Sequence, residues 1–370
     1  MASRVYFSPF RLDRSHESTI SKIQRLFDAA GLGDVVKKGD LAAIKLHFGE
    51  RGCDFYLNPV YVRQVVDFVK ARGGKPFLVD ANTLYSGSRS NAVDHLTTAI
   101  EHVFGYSVTG APLIIADGLR GEDYGEVEIE KKHFAMVKVA GELLRADSMI
   151  VMTHFKGHAM TGFGGAIKNL AMGCAPVSGK MDQHRGLMPA IDEERCKGCG
   201  SCADTCRAEA IQIRAGRASI DYKRCMGCVE CMMACREGAI DLNWDRDIPS
   251  FMEMMTEHAY GATLGKRIGY LNFLINITPD CDCLPWSDSP IVPNIGILAS
   301  TDPVAIDKAS LDLVNREAGL LGTRLACNLG AGEDKFQGVW KKTDGERQIA
   351  YGEEIGLGKS RYELVELSSA

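Results

Sequence analysis

Short runs of consecutive apolar residues alternate in the first half of the chain with longer stretches whose apolar positions recur every three or four residues. Segments 4–7, 41–48, 76–80, 112–116 and 148–153 read as strands, and 17–30, 59–72 and 92–104 as the helices between them. Val60, Val65, Phe68 and Val69 mark the apolar positions of the second helix, which Gly73 and Gly74 end as a left-handed cap. Segments 126–129 and 134–139 read as a hairpin over the sheet. The rhythm resumes late in the chain with a helix at 248–262, strands at 267–277 and 294–299, a helix at 305–318 and a closing strand at 362–367. Strand–helix alternation of this kind predicts an α/β fold, a mainly parallel sheet flanked by helices, with ligands gathering at the carboxyl ends of the strands.

The rhythm breaks between residues 191 and 243, where eight of the thirteen cysteines stand in two copies of one pattern. Cys196, Cys199, Cys202 and Cys206 form the first copy; Cys225, Cys228, Cys231 and Cys235 form the second. Each fourth cysteine is followed by a similar stretch, Arg207 to Ile213 echoing Arg236 to Leu242. Three thiolates at two-residue gaps let one loop wrap three corners of a cubane, and the fourth ligates the neighbouring cluster. The expected ligand sets are therefore Cys196, Cys199, Cys202 and Cys235 for one 4Fe–4S cluster, and Cys225, Cys228, Cys231 and Cys206 for the other. Zinc knuckles or disulfides are the alternative, but zinc sites pair C-x-x-C units instead of trailing a lone fourth cysteine. The expected organisation is an α/β domain at 1–190, an inserted α+β ferredoxin-like two-cluster domain at 191–243, and the second part of the α/β domain at 244–370.

A hydrophobic fraction of 45% and a charged fraction of 25% belong to an ordinary globular protein, with material for a sizeable core. The net charge of −5 without a basic tract argues against nucleic acid or an anionic membrane as partner. No apolar run is long enough for a membrane span, and the amino terminus reads as strand, not signal peptide. Thirteen cysteines without an export signal point to a reducing cytoplasm.

Outside the cysteine repeats, the densest chemistry lies between Thr153 and Cys174. His154, Lys156 and His158 leave a strand, Gly162, Gly164 and Gly165 make a turn, and Lys168 and Asn169 open a helix. Glycines before a helix let backbone N–H groups approach an anion, so a phosphate or carboxylate site is expected there, with a plain strand-to-helix turn as the alternative. Lys180, His184 and Arg185 follow; His158 and His184 are candidate acid–base groups, beside His154 and Lys168. Cys281 and Cys283, with Cys174, offer three further thiols: a third metal or cluster site, a redox disulfide, or buried free thiols. Asp302 or Thr301 caps a helix opened by Pro303, and Asp307 lies inside it.

These residues carry a resemblance. The stretches beginning at Lys45, Asp80, Thr153, Gly162, Cys281 and Ser300 are similar, in that order, to the domain of unknown function 362 family, often described as iron–sulfur centre proteins. The resemblance implies family and cofactor class but no reaction. Arg207 and Arg236 stand where two-cluster ferredoxins place a proline, which alters the loop without removing a ligand atom. The order His158, Gly164, Gly165, Lys168, His184 also resembles the nickel-pincer lactate racemase family. That likeness implies an acid–base role for His158, cofactor attachment at Lys168 and metal ligation by His184.

The leading expectation is a redox enzyme whose clusters take electrons from a soluble donor or acceptor protein and serve a pocket holding a small anionic substrate. A non-catalytic carrier or maturation factor, and a racemase-like isomerase, are the alternatives.

Overall fold

The computed structural model describes residues 2–11 and 17–367. Strands β1 (Ser3–Pro9), β2 (Leu41–Lys45), β3 (Lys75–Asp80), β4 (Leu113–Ile115), β5 (Ser148–His154), β6 (Arg267–Leu274), β7 (Gly296–Ser300) and β8 (Tyr362–Glu366) form one sheet in the order β8-β1-β7-β6-β5-β2-β3-β4. β7 is antiparallel to both neighbours; every other pairing is parallel. The α/β fold with a mainly parallel sheet is therefore as expected. The expected strand at 41–48 stops at Lys45, because the chain beyond it turns out of the sheet toward the site.

Alternation along the strands explains the two-sided burial. Ala43 in β2 and Met149 and Val151 in β5 face one core; Ala42, Ile44, Ile150 and Met152 face the other. Helices α1 (Thr19–Ala29), α2 (Pro59–Ala71) and α3 (Ala92–Glu101) cover the second face through Leu26, Val62, Val65, Val69 and Ala99. Val60, expected on the buried stripe of α2, is 44% exposed; it sits in the first turn, after the Asn58 cap and Pro59, and Val62 and Val66 take its place. Helices α4 (Ala166–Gly173), α5 (Val177–Gln183), α6 (Trp244–Thr263), α7 (Pro303–Arg316) and α8 (Glu346–Glu354) lie beyond 165, and α4, α6 and α7 pack on the first face. The hairpin is seen at Tyr124–Glu128 and Met136–Ala140. α6 starts four residues before the expected 248, because the Asn243 side chain accepts from Arg246 N–H and caps it there.

The sheet draws strands from both sides of residues 191–243, and that stretch contributes none. It builds two small ladders instead, Ala190–Ile191 with Ile240–Asp241 and Ile211–Arg214 with Arg217–Ile220. Among the described residues, no helix is long and apolar enough to cross a membrane.

Candidate functional site

The cysteine-rich stretch curls around two small hollows. One is lined by Cys196, Cys199, Cys202 and Cys235; the other by Cys206, Cys225, Cys228 and Cys231. Positive φ at Gly198, Gly200, Gly227 and Val229 lets the loops bend this tightly. Backbone N–H groups point at sulfur in matching places: Ala210 at Cys206 Sγ and Ala239 at Cys235 Sγ, both 3.3 Å. All thirteen cysteines are free thiols. Four sulfurs around each hollow, with backbone donors aimed at them, are a donor set suited to thiolate-held metal.

The stretch is pinned to the sheet domain next to a much larger cavity. Arg207 Nη1 donates to the carbonyls of Leu84 and Tyr85 at 2.9 and 3.2 Å, and Glu230 Oε1 accepts from Ser86 N–H at 2.6 Å. Arg207 is thus an anchor. Gly227 approaches the 184–187 loop so closely that a Cβ would stand 2.6 Å from the His184 carbonyl oxygen, and its φ is +68°. Gly227→Ala therefore combines backbone strain with a clash. A loss of roughly 2 kcal/mol is expected, read as a lowered chemical-denaturation midpoint and faster proteolysis of 191–243.

The cavity has a volume of about 540 Å3 and lies at the carboxyl edge of the sheet, where Asp80 ends β3 and Asp280 follows β6. Of the sequence candidates, His158, Lys168, Lys180, His184, Cys281 and Cys283 line it. His184 Nδ1 hydrogen-bonds to the Lys180 carbonyl at 2.7 Å, leaving Nε2 free, and burial beside Lys168 pushes the ring down to about 4. His158 accepts at Nδ1 from the N–H groups of Met160 and Thr161 at 3.3 and 3.2 Å, so the neutral ring carries its proton on Nε2. Burial, then Lys168 and Lys156, hold His158 well below the ordinary imidazole range. Both rings are neutral at pH 7, so His184 can accept a proton at Nε2 whereas His158 presents an Nε2–H donor. Burial likewise lowers Lys180 to about 8.

Other candidates stand behind the wall. His154 is buried, with Nδ1 2.9 Å from Asp282 Oδ1 and Nε2 3.0 Å from the carbonyls of Ile275 and Asn276, so both nitrogens are engaged. Lys156 Nζ lies 3.3 Å from Asp282 Oδ2; burial works against its charge, but Asp282 and Cys281 hold its pKa above the usual lysine value. His154 and Lys156 thus position the loop carrying Cys281 and Cys283 instead of meeting a ligand. The anion expected at Gly162, Gly164 and Gly165 is corrected by the structure. The α4 N-terminus is filled from within, since Asp307 accepts from Ala166 and Ile167 N–H at 2.7 and 2.9 Å. Gly164 instead leaves room for the stems of Lys168 and Lys156, and Gly162 turns the chain at φ +74°. Cys174 closes the far end of α4, roughly 9 Å along the helix from Lys168, and belongs to the core; the third-site triad loses it. The group of donors close enough for one ion among the described residues is His158, Cys281 and Cys283. Arg185 is exposed and absent from the cavity wall.

Sequence reasoning missed the 83–89 loop. Arg89 is buried, lines the cavity and pairs with Glu50 at 3.2 Å and Asp80 at 3.5 Å, while Lys45 Nζ meets Asp80 at 3.0 Å. Ser86, Gly87, Ser88 and Ser90 surround Arg89 with turn-forming residues, and only its short distance from Asp80 in sequence hints at the pairing.

A mainly parallel α/β sheet with a cavity of mixed charge at its carboxyl edge, flanked by cysteines compatible with metal binding, defines the class of protein. The chain belongs to the family described as Domain of unknown function (DUF362), whose model matches residues 42–312. Among solved structures it is similar to the lactate racemase apoprotein from Thermoanaerobacterium thermosaccharolyticum, at 14% identity and a TM-score of 0.40. That match covers 74% of this chain and 51% of the other, so the chain spans about half the length of that protein. No curated protein matches.

Proposed function

We propose that the chain is an iron–sulfur redox protein in which a two-cluster ferredoxin-like insert, residues 191–243, serves a cavity that binds a small organic anion. The observation that carries this reading is Cys228, which lines both the second cysteine hollow and the large cavity. Val229 and Glu230 also border both spaces, so the wall between them there is a single stretch of chain. Clusters bound in the hollows would supply single electrons. The chain's own residues supply the rest: Lys168 and Lys180 attract an anion, His184 offers its free Nε2 lone pair to a proton beside it, and His158 offers an Nε2–H donor. Met160, Met172 and Met232 give the same wall an apolar side, suited to the carbon skeleton of such a substrate.

Anaerobic reconstitution with iron and sulfide tests the first half of the reading. Reduced protein should show the paramagnetic signals of iron–sulfur centres; zinc in the hollows and no such signals would overturn it. Anion binding tests the second half through pH. Lys180 loses its charge above about 8, where it no longer helps hold an anion, beside the fixed neighbours Asp117, Asp80, Lys45 and Arg89. Oxalate affinity measured by calorimetry should therefore fall as pH rises past 8, by up to roughly tenfold per unit. Lys180→Met should bind more weakly at pH 7 and flatten that dependence. A carrier without substrate chemistry would bind no oxalate in the cavity at any pH.

A further inference from the structure

Cys281 and Cys283 stand on the cavity wall, on a turn closed by the Leu284 N–H donating to the Cys281 carbonyl at 3.1 Å. Both sulfurs and one ring nitrogen of His158 lie within 4.8 Å of one another. The turn brings the two side chains together on one side. Two cysteines so placed satisfy the main requirement of a disulfide, adjacent Cα atoms with sulfurs converging.

The charges around the pair are unequal. Lys168 Nζ is 3.6 Å from Cys281 Sγ, and Lys156, tied to Asp282, lies close enough to act on it as well. The Cys283 thiol donates toward Cys281; that contact and the two lysines hold Cys281 well below the ordinary thiol range, while the same contact and burial hold Cys283 well above it. Asp282 between them is held by His154 and Lys156, which anchors the loop that presents the sulfurs. His158 cannot serve as a simple metal ligand through Nε2 in this arrangement. Its Nδ1 accepts from two backbone N–H groups, so Nε2 carries the proton and donates.

We infer that Cys281 and Cys283 form a dithiol–disulfide couple, with Cys281 the attacking thiolate and Cys283 the resolving thiol, acting on a small disulfide admitted to the cavity. Cys281 attacks one sulfur of the substrate R–S–S–R, forming a Cys281–S–R mixed disulfide and expelling R–S−, which takes a proton from solvent. Cys283 gives up its proton and attacks Cys281 Sγ. The Cys281–Cys283 bond forms as the second R–S− leaves with that proton. The substrate has gained two electrons and the pair has lost them. Two single electrons and one proton regenerate the thiolate and the thiol; the reductant is the iron–sulfur insert, so turnover rests on the proposed function, whereas the exchange step does not.

The test uses the full chain, anaerobically, with the anionic aromatic disulfide 5,5′-dithiobis(2-nitrobenzoate) as probe and peptide-level mass spectrometry as readout. In the wild type the peptide holding residues 281–283 should end two hydrogens lighter and free of adduct, after releasing two aryl thiolates. Cys283→Ser should stop at one aryl thiolate and keep the adduct on Cys281. Cys281→Ser should slow reaction of this peptide by at least tenfold, and Lys168→Met by roughly tenfold, through loss of thiolate character. A persistent adduct in the wild type, equal reactivity of both sulfurs, or stoichiometric zinc held by the pair would overturn the couple. Absent iron–sulfur signals with this exchange intact would instead sink only the electron supply.

Discussion

Cys235→Ala should empty the first cysteine hollow, although Cys235 belongs to the second sequence repeat. Reconstituted wild type should carry about eight irons, and this variant about four, since each cubane brings four. The stronger statement concerns pairs. Cys235 shares its hollow with Cys196, Cys199 and Cys202, while Cys206 shares the other with Cys225, Cys228 and Cys231. Cys235→Ala with Cys196→Ala should therefore lose no more iron than either change alone. Cys235→Ala with Cys231→Ala, drawn from one repeat but facing two hollows, should lose nearly all. This reversal of sequence neighbourhood is a sharp form of non-additivity, because partners in one site fail together and partners in two sites add. Iron assay and the spectrum of the remaining centre read it directly. If the two changes within one repeat were the non-additive pair, the exchange of fourth ligands would be wrong.

The gathering of eight cysteines around two hollows was legible because their spacing repeats, and the mainly parallel sheet because burial on both faces demands near-continuous apolar strands such as β5. The cavity was legible only in part. His158, Lys168, Lys180 and His184 fall close together in sequence on one strand-to-helix crossover, so a local reading found them. Arg89 and Glu50 come from separate loops and meet only through the fold. His154 failed for another reason. A histidine at a strand end looks the same in sequence whether it meets a ligand or, as here, a buried carboxylate 128 residues away. Arg207 shows the converse: a departure from the expected proline looked like a loop detail, yet its guanidinium holds the insert to the cavity loop.

The glycine turn before α4 misled for the most instructive reason, and it yields the other large expected effect. The turn does receive an anion, but one supplied by the chain itself. Asp307 in α7 accepts from Ala166 N–H, Ile167 N–H and Asn272 Nδ2, the last at 2.8 Å, and is fully buried. Burial raises its carboxyl to about 6, so at pH 7 it is charged and matched to three donors and the positive end of α4. Asp307→Ala leaves two backbone N–H groups and one N–H of the Asn272 amide, whose nitrogen keeps Ser310 Oγ, unsatisfied out of reach of solvent, with an expected loss of about 3 kcal/mol or more. The glycine at 165 exists for the same carboxylate: a Cβ there would stand 2.4 Å from Asp307 Oδ1 and 2.5 Å from Cγ. Its φ of −114° suits any residue, so the demand is for space and not for backbone freedom. Gly165→Ala alone should therefore be strongly destabilising, as overpacking against a fixed carboxylate. Adding Gly165→Ala to Asp307→Ala should cost far less than the sum, because the first change removes the atoms the second would strike. Chemical denaturation of the four proteins measures the coupling. Strict additivity would mean that the glycine is there for some purpose other than the carboxylate, and would reopen the turn to an outside anion.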